Sequence, residues 1–210
     1  MLNLLWKFVE DEADVEAKAL ADMTKDNPEL PDWSAGVQTL LDRLIAANDI
    51  KRELVCRVLS GMPFGAVALS HKTIVIAESL VEFCRGRTAQ MAFVLAHEVS
   101  HMHRGHGRER FGVTDVAGML TLNPIMAFGV KKLLDTGRSR ENEFEADRDA
   151  LAFCHRAGYA PHAAAEFLER LTSGEVPRET VKQFLSTHPP LSERIAELRT
   201  GAEKLKPAGA

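Results

Sequence analysis

The chain has 210 residues, with 26 Lys and Arg against 30 Asp and Glu, a formal net charge of −4. Apolar residues make up 45% and charged residues 27%, which excludes a disordered or low-complexity chain and suits one compact domain. The acidic balance leaves no basic footprint for nucleic acid, and the three widely spaced cysteines (Cys56, Cys84, Cys154) exclude a disulfide framework, so the expected setting is reducing and cytoplasmic.

Residues 3–24 carry Leu4, Leu5, Phe8, Val15 and Ala19 at helical spacing, and Asn27, Pro28, Pro31 and Asp32 end the pattern. Val37, Leu40, Leu41, Leu44 and Ile45 then recur at i, i+3, i+4, i+7 and i+8, a second helix with Ser34 as its expected N-cap. Residues 1–50 are thus expected as N-terminal helices. The texture changes at Glu53–Leu59, where Leu54, Cys56 and Val58 alternate onto one face. Ala66–Leu69 and Thr73–Ile76 read as two more short strands, joined through Ser70-His71-Lys72, so a small sheet of three strands is expected.

Helical periodicity resumes at Leu80. Ala89–His103 is expected as a helix ending at Gly105 and Gly107, and 140–156 as another, with Gly158 just beyond. Two more follow at 162–173 and 192–206. Residues 51–200 form the expected main domain and 201–210 a flexible tail. Helices on either side of a small strand cluster make the class α+β, mainly helical.

The longest uncharged stretch, Val116–Val130, is broken by Thr121, Asn123 and Pro124 and falls short of the roughly 18–20 apolar residues of a spanning helix. No transmembrane segment is expected. The stretch reads as a lid, a peripheral membrane or partner contact, or an internal helix pair. MLNLLWKFVEDEAD at the start has no basic leader and no cleavage site, so no signal peptide is expected.

The chemistry centres on His97-Glu98-Val99-Ser100-His101, which matches H-E-x-x-H. On a helix, i and i+4 share a face one turn apart, so His97 and His101 can hold one Zn²⁺, with Glu98 offset to act as base on water. The apolar run Met91–Ala96 ahead of them implies a buried helix, where charge is rare unless paired or metal-bound. His103 and His106 point to other faces or lie past the helix end, and read as solvent-exposed. A third ligand is expected from 140–156. Glu143, Asp147, Ala150 and Cys154 fall on one stripe at i, i+4, i+7 and i+11, which suits Glu143 as ligand and Asp147 as acceptor of a ligating histidine's N–H. Glu145 shares a face with Arg148 and Asp149 and reads as solvated. Acidic residues also suit the start of a helix, and on spacing alone the reading of all three glutamates as surface residues would prevail.

HExxH, then ExxxD roughly forty residues on, then Ser186-Thr187-His188-Pro189-Pro190, together resemble the HtpX-like gluzincin metallopeptidases, a family that also contains the CAAX prenyl endopeptidases. The likeness covers roughly residues 50–200. It implies a zincin-type single domain with a small sheet beside the HExxH helix, and one Zn²⁺ per chain. It implies His97, His101 and Glu143 as the zinc ligands, Glu98 as the catalytic glutamate and Asp147 as the partner aspartate. Phe64-Gly65-Ala66 departs from the pattern, with glycine where many members have asparagine. The membrane spans of HtpX and the prenyl proteases have no counterpart, which implies a short soluble member.

The expected function is a zinc-dependent endopeptidase acting through metal-activated water on unfolded or damaged proteins. Thr73, Ile74, Val75 and Ile76 are the candidate strand for pairing with an extended substrate. His188, held before two prolines, is expected near the zinc as a transition-state donor or an inhibitory fourth ligand, with a structural turn histidine as the third reading. The alternative function is a zinc-stabilised binding or adaptor domain, or a latent protease, closed by His188; an intact Glu98 argues against the adaptor. Arg194 is expected to pair with a buried carboxylate, and Tyr159 to pack after a helix end.

Overall fold

The computed structural model describes residues 2–69, 72–106, 140–188 and 191–205. Its elements run α1 (Leu2–Asp26), α2 (Pro31–Ala47), β1 (Val55–Leu59), β2 (Ala66–Ala68), β3 (Thr73–Ala77), α3 (Glu78–Phe83), α4 (Thr88–Arg104), α5 (Arg140–Arg156), α6 (Ala163–Thr172), α7 (Arg178–Thr187) and α8 (Leu191–Lys204). The fold is α+β and mainly helical, with one three-stranded sheet among the described residues.

The strand order is β1-β3-β2. β3 runs parallel to β1, with Val55 opposite Thr73, and antiparallel to β2, with Ala66 opposite Ile76. All five residues of β3 are buried. This corrects the reading of Thr73–Ile76 as a substrate strand: both edges of β3 already carry a neighbour, so no backbone groups remain for a peptide. The outer edge of β1 is also covered. Leu30 N donates to Val58 O (2.8 Å), Val58 N to Ser34 Oγ (2.9 Å) and Cys56 N to Gln38 Oε1 (2.7 Å), while Gln38 Nε2 donates to Leu54 O (3.1 Å). Among the described residues, β2 forms the other edge, with Ala68 N taken by Glu98 Oε2.

Those bonds explain two differences from the sequence reading. Ser34 does not cap α2. Pro31, with φ already set for a helix, starts it three residues earlier, and Ser34 is buried where its hydroxyl ties α2 to β1. The boundary at residue 50 also marks no break in packing. Val37, Leu41 and Leu44 of α2 share one core with Val58, Ile74 and Ile76 of the sheet and with Leu95 and Val99 of α4. On the other face of the sheet, Met23 of α1 closes a small cluster with Leu59, Leu69 and Val75. Glu16 fastens α1 there, accepting from Lys72 N (2.9 Å) and Thr73 Oγ1 (2.6 Å).

α4 is buried continuously from Gln90 to His101, enclosed by the sheet, α2, α5 and α6. Helix α7 has no counterpart in the sequence reading; Val181 and Phe184 carry too short an apolar period to announce it. Residues 201–204, placed both in the expected 192–206 helix and in the expected tail, continue α8. They dock so closely that a Cβ added at Gly201 would stand 2.7 Å from Leu151 Cδ2. The 116–130 segment and Pro189-Pro190 lie outside the described residues. No described helix is long and apolar enough to cross a membrane. Cys56, Cys84 and Cys154 are free and buried, and burial pushes each thiol up to about 12, so they act as small apolar fillers.

Candidate metal centre

Two helices build the centre by facing each other through small residues. Ala146 and Ala150 of α5 are fully buried, which lets its backbone approach α4 closely. The stripe that carries these alanines also turns Glu143 and Asp147 toward α4, where His97 and His101 stand one turn apart.

Four side chains converge. His97 Nε2 lies 3.0 Å from His101 Nε2. Glu143 places Oε2 3.3 Å from His97 Nε2 and Oε1 3.3 Å from His101 Nε2. His188 Nδ1 stands 3.0 Å from Glu143 Oε2 and 3.3 Å from His97 Nε2. All four residues are buried, and one donor atom from each lies within 4.8 Å of the others. Donors about 2.0–2.1 Å from a tetrahedral ion stand roughly 3.3 Å apart, close to the spacings found here.

The surrounding groups fix these donors. Asp147 Oδ1 lies 3.0 Å from His97 Nδ1. Arg194 of α8 holds Asp147 with two bonds, Nε to Oδ2 (2.6 Å) and Nη2 to Oδ1 (2.7 Å). Its Nη1 reaches Glu143 Oε2 (2.8 Å) and the backbone carbonyl of His188 (3.2 Å). Glu98 Oε2 accepts from Ala68 N of β2 (3.0 Å), and its Oε1 lies 3.6 Å from His188 Nε2. His188 closes α7, its N–H bonded to Phe184 O (3.0 Å) and its ring stacked on Phe184 at 4.9 Å.

Burial works against ionisation of Glu143, but His188, His97 and His101 outweigh it and hold its carboxyl well below the usual range. Burial likewise opposes the charge on Asp147, and Arg194 with His97 brings its carboxyl down. For His97, burial opposes the proton, while Glu143 and Asp147 together raise its pKa.

Residues 32–202 match Peptidase family M48. The chain belongs to that family. It is similar to the beta-barrel assembly-enhancing proteases of Yersinia pestis, Escherichia coli and Shigella flexneri, at 25% identity over 193 residues in each case. Each match takes in 81% of this chain and 39% of the relative, so the chain spans about two fifths of the length of these curated relatives.

The charge at the M48 centre fits a divalent cation. Glu98, Glu143 and Asp147 bring three negative charges and Arg194 one positive, all at 2% exposure or less. With neutral histidines the sum is −2 in a region where unpaired charge is costly. Glu143 Oε1 is buried without a well-aligned hydrogen bond, which leaves its lone pairs for an ion.

Other expected residues find their places. His103 is exposed, but His106 is not: it is buried, with Nδ1 2.9 Å from His101 Nδ1. Glu145, read as solvated, pairs with Arg104 (3.2 Å) and His106 (3.3 Å). Tyr159 lies beyond the end of α5, whose first turn carries Glu143, and packs under Arg43. The signal for His106 is Gly105, whose left-handed backbone (φ 72°) ends α4 and turns the next residue back over its last turn.

Proposed function

We propose that this chain is a zinc-dependent endopeptidase that cleaves extended segments of unfolded proteins. The observation that carries the reading is the convergence of His97, His101 and Glu143 on one point, with the Glu98 carboxylate beside it. A zinc ion held there would supply a Lewis acid for the scissile carbonyl and acidify a water molecule.

The chain's own residues do the rest. Glu98 is fixed by Ala68 N through Oε2, and its carboxylate takes a proton from the attacking water and passes it to the leaving nitrogen. Gly65 O and Leu69 N bond to β3, so by strand alternation the backbone groups of Ala66 and Ala68 point to the open edge of β2. An extended peptide adding there would run beside Glu98, which already takes the Ala68 N–H, and pair with the remaining outward groups. Backbone pairing reads shape more than side chains, which suits unfolded or damaged substrates. The relatives are named beta-barrel assembly-enhancing proteases, and a role beside the assembly of other proteins fits an extended protein substrate. A reducing, cytoplasmic setting belongs to the same proposal, supported by the three free thiols.

His188 supports a second layer of the proposal: the described arrangement is a resting state with His188 as fourth donor. Its Nδ1 stands as near to Glu143 and His97 as those donors stand to each other. The adaptor alternative would need a closed site with no use for Glu98.

The deciding experiment measures zinc content and casein degradation side by side for the wild type and Glu98→Gln. The reading expects about one zinc in both proteins and hydrolysis in the wild type only. A wild type that binds no zinc, or a variant that cleaves at the wild-type rate, overturns it.

A further inference from the structure

His97 and His101 are treated differently by the protein around them. His97 has a carboxylate directly behind it, Asp147, 3.0 Å from Nδ1. His101 has another histidine there. His101 Nδ1 lies 2.9 Å from His106 Nδ1, and His106 Nε2 lies 3.3 Å from Glu145 Oε2. Both histidines are buried, and Glu145 is itself steadied by Arg104 Nη1 at 3.2 Å.

The donor inventory sets the roles. An ionised carboxylate only accepts, so the Glu145 oxygen 3.3 Å from His106 Nε2 favours the His106 proton on that nitrogen. In that tautomer His106 Nδ1 accepts from His101 Nδ1, which leaves the lone pair of His101 on Nε2, the atom 3.3 Å from Glu143 Oε1. We propose that His106 and Glu145 form a positioning relay that fixes the tautomer of His101 and aims its Nε2 lone pair at the metal centre. The relay does for His101, through one extra ring, what Asp147 does for His97. It makes Glu145 part of the centre's support, although its side chain reaches the surface. The inference rests on the metal reading of the site.

The backbone supports this role. Gly105 ends α4 in the left-handed region, and His106 N then donates to His101 O (3.0 Å). Residues 101 and 106 are therefore joined by backbone and by ring, so the second imidazole is held at little further entropic cost.

The test is a zinc titration against a chelating indicator, read as affinity and not as hydrolysis, with circular dichroism checking the fold. His106→Phe keeps the ring bulk and removes the acceptor. His106→Asn keeps an acceptor where Nδ1 stood and removes the bulk. The relay expects a loss of about 10–100-fold for the phenylalanine variant and near-wild-type affinity for the asparagine variant. The opposite order would show a packing role and overturn it. Glu145→Leu should weaken affinity in the same direction and by less; an unchanged affinity removes Glu145 from the relay. Two-bond ¹⁵N–¹H spectra of the zinc-loaded protein should place the His106 proton on Nε2, and a proton on Nδ1 overturns the assignment. A wild type that binds no zinc would sink the proposed function itself, whereas a zinc-binding wild type with an indifferent phenylalanine variant would sink only the relay.

Discussion

The carboxylate of Asp147 is shared: Oδ1 lies 3.0 Å from His97 Nδ1 while Arg194 grips both oxygens. One buried aspartate thus orients a donor histidine and neutralises a buried arginine. Asp147→Asn keeps the shape and loses the charge. Zinc affinity should fall about 10–100-fold with the fold retained. Asp147→Ala leaves Arg194 with only part of its pairing and should cost about 3–5 kcal/mol of stability. Titration of zinc and thermal unfolding check both; a silent asparagine variant would show that Asp147 serves the fold alone.

Removing the ion leaves the centre with a formal charge of −2 among buried groups, but the main core lies in the sheet and the α2–α4 packing. Chelation should therefore abolish hydrolysis, keep the helical signal and lower the melting temperature. Zinc at a hundred times its dissociation constant would contribute about 2.7 kcal/mol. Complete unfolding on chelation would favour the structural, adaptor-like alternative.

Glu98→Gln separates binding from chemistry. The amide still accepts from Ala68 N but takes no proton from water. Zinc should stay and hydrolysis should fall by at least ~10²-fold. Casein cleavage at the wild-type rate would remove Glu98 from the role of base.

Acid stability has a separate source in Asp149. Burial opposes its charge, but Arg104 donates to both oxygens (2.5 and 2.9 Å) and Ser100 Oγ adds a third bond (2.8 Å), so its carboxyl lies below the usual range. A lowered native pKa stabilises the fold above the ordinary aspartate value of about 3.9 and loses that contribution as pH falls through the native value. The wild-type melting temperature should drop between pH 5 and pH 3 more steeply than that of Asp149→Asn. Parallel curves would assign the acid sensitivity to other carboxylates.

Local periodicity made much of this legible. His97 and His101 share a face because i and i+4 always do on a helix, while Glu143 and Asp147 share a stripe with Ala150 and Cys154 but are singled out as their partners only by the family resemblance. Non-local geometry was hidden. Nothing in Thr73–Ile76 says that β3 takes the middle of the sheet, because strand order is settled by the crossover and by Gln38 and Ser34 reaching β1. His106 looked like a residue beyond a helix end, and one left-handed glycine brought it back onto His101.

His188 is the residue whose replacement should raise activity. Three contacts hold it at the centre: its N–H on Phe184 O, its carbonyl on Arg194 Nη1, and its ring stacked on Phe184. None of them comes from the donors, so the imidazole is delivered to Glu143 and His97 by the fold. A peptide entering along β2 must displace that ring, because Nδ1 occupies the fourth corner of the donor set and Nε2 faces Glu98 at 3.6 Å. On the proposed resting state, the site is competent only in the fraction of molecules whose His188 has swung away. His188→Ala removes the competitor and leaves His97, His101 and Glu143, so zinc should remain stoichiometric while casein hydrolysis rises at least ~5-fold. A fall in hydrolysis with zinc retained would instead make His188 a donor to the developing oxyanion, and no change in either quantity would leave it a structural cap on α7.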